Sequence, residues 1–148
     1  MARREQVSQA LDEQLCFAVY AASRAITARY RPLLDELGLT YPQYLVLLVL
    51  WEGGAPQTVR DLGARLRLDS GTLSPLLGRL EGAGLVERRR RADDERSVHV
   101  LLTAAGTALQ ERALEVPCRM GAAMALEPAE LGRLRDELTA LATRLDTQ

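Results

Sequence analysis

Arg88, Arg89, Arg90 and Arg91 lead directly into Ala92-Asp93-Asp94-Glu95-Arg96. The run sits between two strand-like segments, Leu85 to Arg90 and Ser97 to Leu102, just after glycines 82 and 84. Guanidinium groups fork bidentately to phosphate oxygens and to guanine edges. A basic β-hairpin of this layout is suited to lie along a phosphate backbone and push one guanidinium forward at its tip. The chemistry implied is recognition of DNA. The other reactive groups are the thiols of Cys16 and Cys118. In a reducing compartment they are not expected to form a permanent staple, so each is either an inert small hydrophobe or a reactive thiol.

Charge distribution supports the DNA reading although total charge does not, since 19 basic against 20 acidic residues leave a net charge of −1. Residues 1–59 and 92–148 are net negative, by 1 and by 4, whereas residues 60–91 carry 8 Arg and 4 acids. One middle segment is therefore basic and its flanks are not. Every positive side chain is Arg. This suits phosphate recognition, and a GC-rich genome would give the same bias.

The elements that must position these groups follow from periodicity. Leu11, Leu15, Val19, Ala22, Ile26, Tyr30, Leu33 and Leu37 recur at steps of three and four, predicting one long amphipathic helix that ends at Gly38. Thr40-Tyr41-Pro42-Gln43 has capping-box spacing and opens a second helix that stops at Gly53-Gly54. A short third helix runs from Thr58 to about Leu66, and a fourth from Asp69 to Glu81. Pro75 should distort the first turns of the fourth helix, because it removes an intrahelical hydrogen bond. Two strands flank the charged tip, Thr103 opens a fifth helix, and Pro117 interrupts it. In the last helix Leu131, Leu134, Leu138, Leu141 and Leu145 form a narrow seam of the kind that packs on another helix. Striped helices at both ends of the chain predict a homodimer; the alternative is that both stripes face the chain's own core.

At 148 residues a single domain is expected, burying roughly 68 to 70% of its unfolded surface. No apolar run is long enough to span a bilayer, and Met1-Ala-Arg-Arg-Glu-Gln leads into a polar stretch rather than a signal-peptide core, so a cytoplasmic protein with no membrane partner is expected. No Gly-rich phosphate loop or nucleotide fingerprint accompanies Cys16, which argues against an enzyme and against a cofactor. His99 has no partner at metal-ligand spacing and reads as structural, and Trp51 reads as core.

The third and fourth helices, joined through Arg67-Leu68, form a helix-turn-helix whose second member enters the major groove N-terminus first. Its opening residues Ser70, Gly71, Thr72 and Ser74 are small hydrogen-bonders suited to close approach, and Arg79 can reach phosphate or guanine. Small polar residues at a helix start are also ordinary capping chemistry. With Arg88, Arg90, Asp94 and Arg96 on the hairpin they make the candidate DNA-binding set.

The order of helices, the segment Leu68-Asp69-Ser70-Gly71-Thr72-Leu73-Ser74-Pro75-Leu76-Leu77 and the Asp94-Glu95-Arg96 tip resemble the MarR family of dimeric winged-helix repressors. Leu15-Cys16-Phe17-Ala18-Val19-Tyr20 and Leu39-Thr40-Tyr41-Pro42-Gln43-Tyr44-Leu45 resemble its organic-hydroperoxide-sensing, OhrR-type branch. The resemblance covers the chain to about Pro117. It implies a mainly α fold with a small β-wing: dimerisation helices at about 8–37 and 103–146, and a winged helix-turn-helix at about 58–102. It further implies that Cys16 is the peroxide-sensing thiol and that Tyr30 and Tyr41 hydrogen-bond to it across the dimer interface. Arg96 would insert in the minor groove with Asp94 holding it. Backbone N–H groups in a first helical turn favour an anion, and apolar Leu15, Phe17 and Val19 suit an organic hydroperoxide.

Some members of the branch carry a second, resolving cysteine. Cys118 directly follows Val116-Pro117, whereas the two-cysteine pattern places the partner about one turn, about 5.4 Å, further on. Resolving thiol and incidental thiol both remain open. The expected function is a repressor of a pseudo-palindromic operator, released by oxidation of Cys16. The alternative is a repressor of the same fold released by a phenolic or drug-like ligand.

Overall fold

The computed structural model describes residues 7–91 and 93–147, with backbone alone at 94–96. Two compact units divide the chain, Met1–Leu114 and Glu115–Gln148. Among the described residues no helix is long and apolar enough to cross a membrane.

The first unit begins with a 3₁₀ turn, Leu11–Glu13, followed by α1, Leu15–Asp35. The predicted helix from Leu11 is therefore broken at Gln14, whose extended backbone makes it the N-cap of α1. At the other end Gly38 takes a left-handed φ of 69°, which a residue without Cβ adopts freely. Of the predicted apolar stripe only Leu33 is buried, together with its neighbour Leu34, and most of α1 is exposed.

Helix α2, Tyr41–Gly53, starts on the predicted capping box. Thr40 Oγ1 accepts from the Gln43 N–H at 3.4 Å, and the Thr40 N–H donates to Gln43 Oε1 at 2.9 Å. Tyr44, Val46, Leu47, Val49 and Leu50 are all buried, because α2 packs against α1, α3, α4 and α5 and forms the centre of the unit. Trp51, expected in the core, is only half-buried, and its indole Nε1–H donates to the Gly106 carbonyl at 2.9 Å.

Helices α3, Val59–Leu66, and α4, Ser70–Gly82, follow a two-residue strand β1, Gln57–Thr58. Strands β2, Val86–Arg91, and β3, Asp94–Leu102, complete an antiparallel sheet of order β1-β3-β2. The return strand starts three residues earlier than predicted, which puts the backbone of Asp94, Glu95 and Arg96 in β3 rather than in a loop. Pairing is regular from Val86↔Leu102 to Arg90↔Val98, then jumps to Arg91↔Asp94, so residues 95–97 form a bulge near the hairpin end. Helix α5, Ala104–Ala113, is capped by Thr103, whose Oγ1 accepts from the Gly106 N–H at 3.0 Å.

In the second unit α6, Glu115–Met124, and α7, Pro128–Asp146, are joined through Ala125 in a left-handed conformation, φ 51°. The break between α5 and α6 falls at Leu114, ahead of the predicted position. Pro117 cannot donate to the carbonyl four residues back, at Ala113, and its ring crowds that carbonyl, so the earlier helix stops there and Pro117 occupies the first turn of the next. Helix α7 buries no residue: Leu131, Leu134, Leu138 and Leu145 of its predicted seam are all exposed.

Candidate nucleic-acid interface and thiol site

The helix-turn-helix is tightly specified. Asp61 N–H donates to Thr58 Oγ1 at 3.0 Å to start α3, and α3 ends on Arg67 with φ 55°. The turn folds back so closely that a Cβ on Gly63 would stand 2.8 Å from the Leu68 carbonyl oxygen; the Leu68 N–H donates to the Gly63 carbonyl at 2.9 Å. Asp69 caps α4, its Oδ1 accepting from the Thr72 N–H at 2.7 Å, and this bond is the main reason its carboxyl stays below the ordinary carboxylate range.

Leu73, Leu76, Leu77 and Leu80 recur on one side of α4 and are buried. The opposite side carries Ser70, Gly71, Thr72, Ser74, Pro75 and Arg79, all exposed. All of the predicted α4 contact residues thus share one solvent-facing surface. Pro75 lies inside α4, which continues through it to Gly82 as the sequence reading of one helix expected. The carbonyl it leaves undonated belongs to Gly71, on the exposed face, and the buried leucine row holds the helix on either side.

On the wing, alternation along β2 places Val86, Arg88 and Arg90 on one face and Glu87, Arg89 and Arg91 on the other. Arg88 binds Glu81 of α4, Arg89 binds Glu87 at 3.0 Å, and Arg91 lies 3.3 Å from Asp93. Arg90 is exposed and makes no ion pair among the described residues. The side chains of Asp94 and Arg96, predicted for minor-groove insertion, lie outside the described residues. His99 pairs with Thr58 and Arg89 across the sheet, and its Nδ1 is buried without a hydrogen-bond partner.

Cys16 is the second residue of α1 and is exposed, with Leu15 and Phe17 exposed beside it. Being one turn nearer the helix start than a helix from Leu11 would have put it, Cys16 sits in the first turn, whose N–H groups have no intrahelical acceptor. Tyr30 lies fourteen residues further along the same helix, about 21 Å at 1.5 Å per residue, so one chain does not bring the two together. Tyr30 instead packs on α2, its ring centroid 4.7 Å from that of Tyr41 and 6.0 Å from that of Tyr44. Burial, and then the neighbouring phenols Tyr41 and Tyr44, push the Tyr30 hydroxyl up to about 12. Burial also raises Tyr41 and Tyr44. All three therefore stay neutral hydrogen-bond donors at physiological pH. Cys118 is exposed on α6.

Sequence reasoning missed β1, which is too short to show alternation, and it missed Glu81, whose partner Arg88 was read as a DNA contact. The only signal for Glu81 is an acid in the last turn of a helix, where the dipole disfavours it.

The sequence profile of the family described as "Transcriptional regulator SarA/Rot" matches residues 28–112. The organic hydroperoxide resistance transcriptional regulator of Bacillus subtilis is 47% identical over 137 residues, covering 93% of this chain and 90% of that protein. The regulator TtmR of Methylorubrum extorquens is 48% identical over 93% of this chain and 70% of its own length. Among solved structures, AbfR of Staphylococcus epidermidis is 38% identical, with a TM-score of 0.76 over 93% of this chain and 95% of that one. AbfR has been described bound to DNA in a reduced and in an overoxidised form, each with a TM-score of 0.77 to this chain, and also in a disulfide form. With the exposed face of α4, the β-hairpin beside it and matches along most of its length, the chain belongs to the MarR-type winged helix-turn-helix transcriptional regulators of the SarA/Rot kind.

Proposed function

We propose that this regulator is a cytoplasmic homodimeric repressor that occupies a pseudo-palindromic operator when reduced and leaves it when an organic hydroperoxide oxidises Cys16. The observation that carries the reading is the 47% identity, over nearly all of both chains, to a regulator of organic hydroperoxide resistance. An exposed thiol at the N-terminus of an uncovered helix supports it.

The thiolate attacks one peroxide oxygen and the O–O bond breaks. Sulfur is oxidised to sulfenic acid, and the hydroperoxide leaves as an alkoxide that takes up a proton to become the alcohol. Tyr30 and Tyr41 of the partner subunit supply the hydrogen bonds to the sulfur, since the chain's own Tyr30 is about 21 Å away. Single-chain exposure of α1 and of the α7 leucines supports a dimer built from about residues 8–37 and 103–146, with the winged helix-turn-helix at about 58–102 in the same domain. Ser70, Thr72, Ser74 and Arg79 of α4 face the major groove, Arg88, Arg90 and Asp94 belong to the wing, and Arg96 enters the minor groove. Oxidation shifts the first helices and takes the two recognition helices off the spacing of about 34 to 36 Å that a palindrome requires. About 4 kcal/mol of differential binding weakens occupancy roughly a thousandfold. Cys118 is the candidate resolving thiol. That an overoxidised relative has been described on DNA makes a disulfide the form of the oxidised protein to test first for release.

The test is fluorescence anisotropy on a duplex from the DNA upstream of the coding sequence, before and after an organic hydroperoxide, with wild type, C16S and C118S. Release of wild type but not of C16S is expected. Peroxide-insensitive binding by both wild type and C16S would point instead to a repressor released by a ligand. A C118S protein that still forms an intersubunit disulfide would remove the resolving role.

A further inference from the structure

The arginines of β2 are not equivalent. Arg89 and Arg91 are paired within the hairpin, with Glu87 and Asp93. Arg88 reaches out of it to the last turn of α4: Glu81 Oε2 accepts from the Arg88 backbone N–H at 2.9 Å, and Oε1 accepts from Nε at 3.3 Å and from Nη2 at 3.1 Å. This pair is the least exposed of the three, 34% and 38% for the two side chains.

A carboxylate in the last turn of a helix faces the negative end of the helix dipole and weakens the helix unless a cation opposes it. Here the Arg88 N–H and guanidinium do so, and they hold the Glu81 carboxyl below the ordinary carboxylate range. One turn back, Gly78 leaves room for the guanidinium, since even a Cβ there would meet Arg88 Nη2 only at 3.8 Å. A guanidinium whose Nε and Nη2 both donate to one carboxylate oxygen has little charge left to displace counterions from a phosphate.

We infer that Glu81 and Arg88 form a latch that sets the wing on the recognition helix, Arg88 being a positioning residue, and that Arg90 carries the phosphate contact. The inference rests on the operator-binding reading above. The latch fixes the angle between α4 in the major groove and the hairpin beside it, so that both engage one duplex without either having to reorient.

Operator affinity of the full-length protein, measured between about 50 and 200 mM salt, separates the roles. Arg90→Ala should lower the slope of log affinity against log salt by about one. Arg88→Ala and Glu81→Ala should each weaken binding on the order of tenfold with the slope unchanged, and the double variant should be no weaker than either single one. Glu81→Ala is decisive in sign, because charge counting alone predicts that removing a carboxylate near DNA tightens binding. Arg88→Lys guards against loss of folding: it keeps the charge and loses the fork, so it should weaken binding as Arg88→Ala does. Tighter binding by Glu81→Ala, full affinity in Arg88→Lys, or a loss of about one unit of slope in Arg88→Ala would overturn the latch. Wild-type protein that bound no such duplex at any salt would remove the operator reading itself, an outcome distinct from these.

Discussion

Cys16 and Tyr30 stand on one helix about 21 Å apart, the first on its uncovered start and the second where it enters the core beside Tyr41 and Tyr44. A sensor that needs both must take them from different subunits. A heterodimer with C16S in one protomer and Y30F in the other then keeps one intact site, which a site within one chain would not allow. Sulfenic acid trapping should show this heterodimer reacting at the wild-type rate at half the stoichiometry, and the Y30F homodimer reacting about tenfold more slowly. A heterodimer as slow as Y30F would place the phenol's action elsewhere.

The exposed leucines of α7 lead to a second expectation. Leu134→Arg with Leu138→Arg places two charges in a seam that needs an apolar partner. Sedimentation equilibrium should report a monomer, and operator affinity should fall toward that of a single half-site. A dimer with undiminished affinity would mean that the seam is not the interface.

Phenol titration makes stability depend on pH on the alkaline side. Tyr30 is raised from 10.0 to about 12 in the folded chain, so between those values the unfolded chain has lost a proton that the folded chain retains. This contribution is present in full below pH 10 and is lost as pH rises through about 12. The chain has no lysine, so apart from thiols and phenols little else titrates there. Tyr30→Phe should flatten the fall in Tm between pH 9 and 12, and an unchanged fall would assign it to other groups.

Close packing around Trp51 gives a fourth prediction. A Cβ on Gly106 would collide with the Leu85 carbonyl, and the Gly106 carbonyl accepts the Trp51 indole N–H. Gly106→Ala should cost about 3 kcal/mol, lowering Tm on the order of 10 °C. A Tm within 2 °C of wild type would mean that the loop yields at little cost.

Much of this was legible in the residues because local rules and tertiary packing agree. Thr40 and Gln43 cap α2 as their spacing requires, and the buried leucines of α4 keep helical register. The start of α1 was misjudged because apolar periodicity runs on through Leu11 while the backbone turns at Gln14, and periodicity does not register a change of helix type. The cost of Pro75 depends on where the freed carbonyl points, which periodicity does not show. The α4 members of the predicted DNA set were readable as one exposed face, since exposure follows periodicity. The partner of Arg88 was not, since pairing across elements depends on how the hairpin packs against α4.

The bulge at residues 95–97 has a consequence for descent. Below it the hairpin is held by an unbroken ladder from Val86 to Arg90, and irregular pairing absorbs any mismatch above. Insertions or deletions at the end of the hairpin therefore need not slip the rungs beneath. Lineages can trade one hairpin end for another while the foundation that carries it stays still.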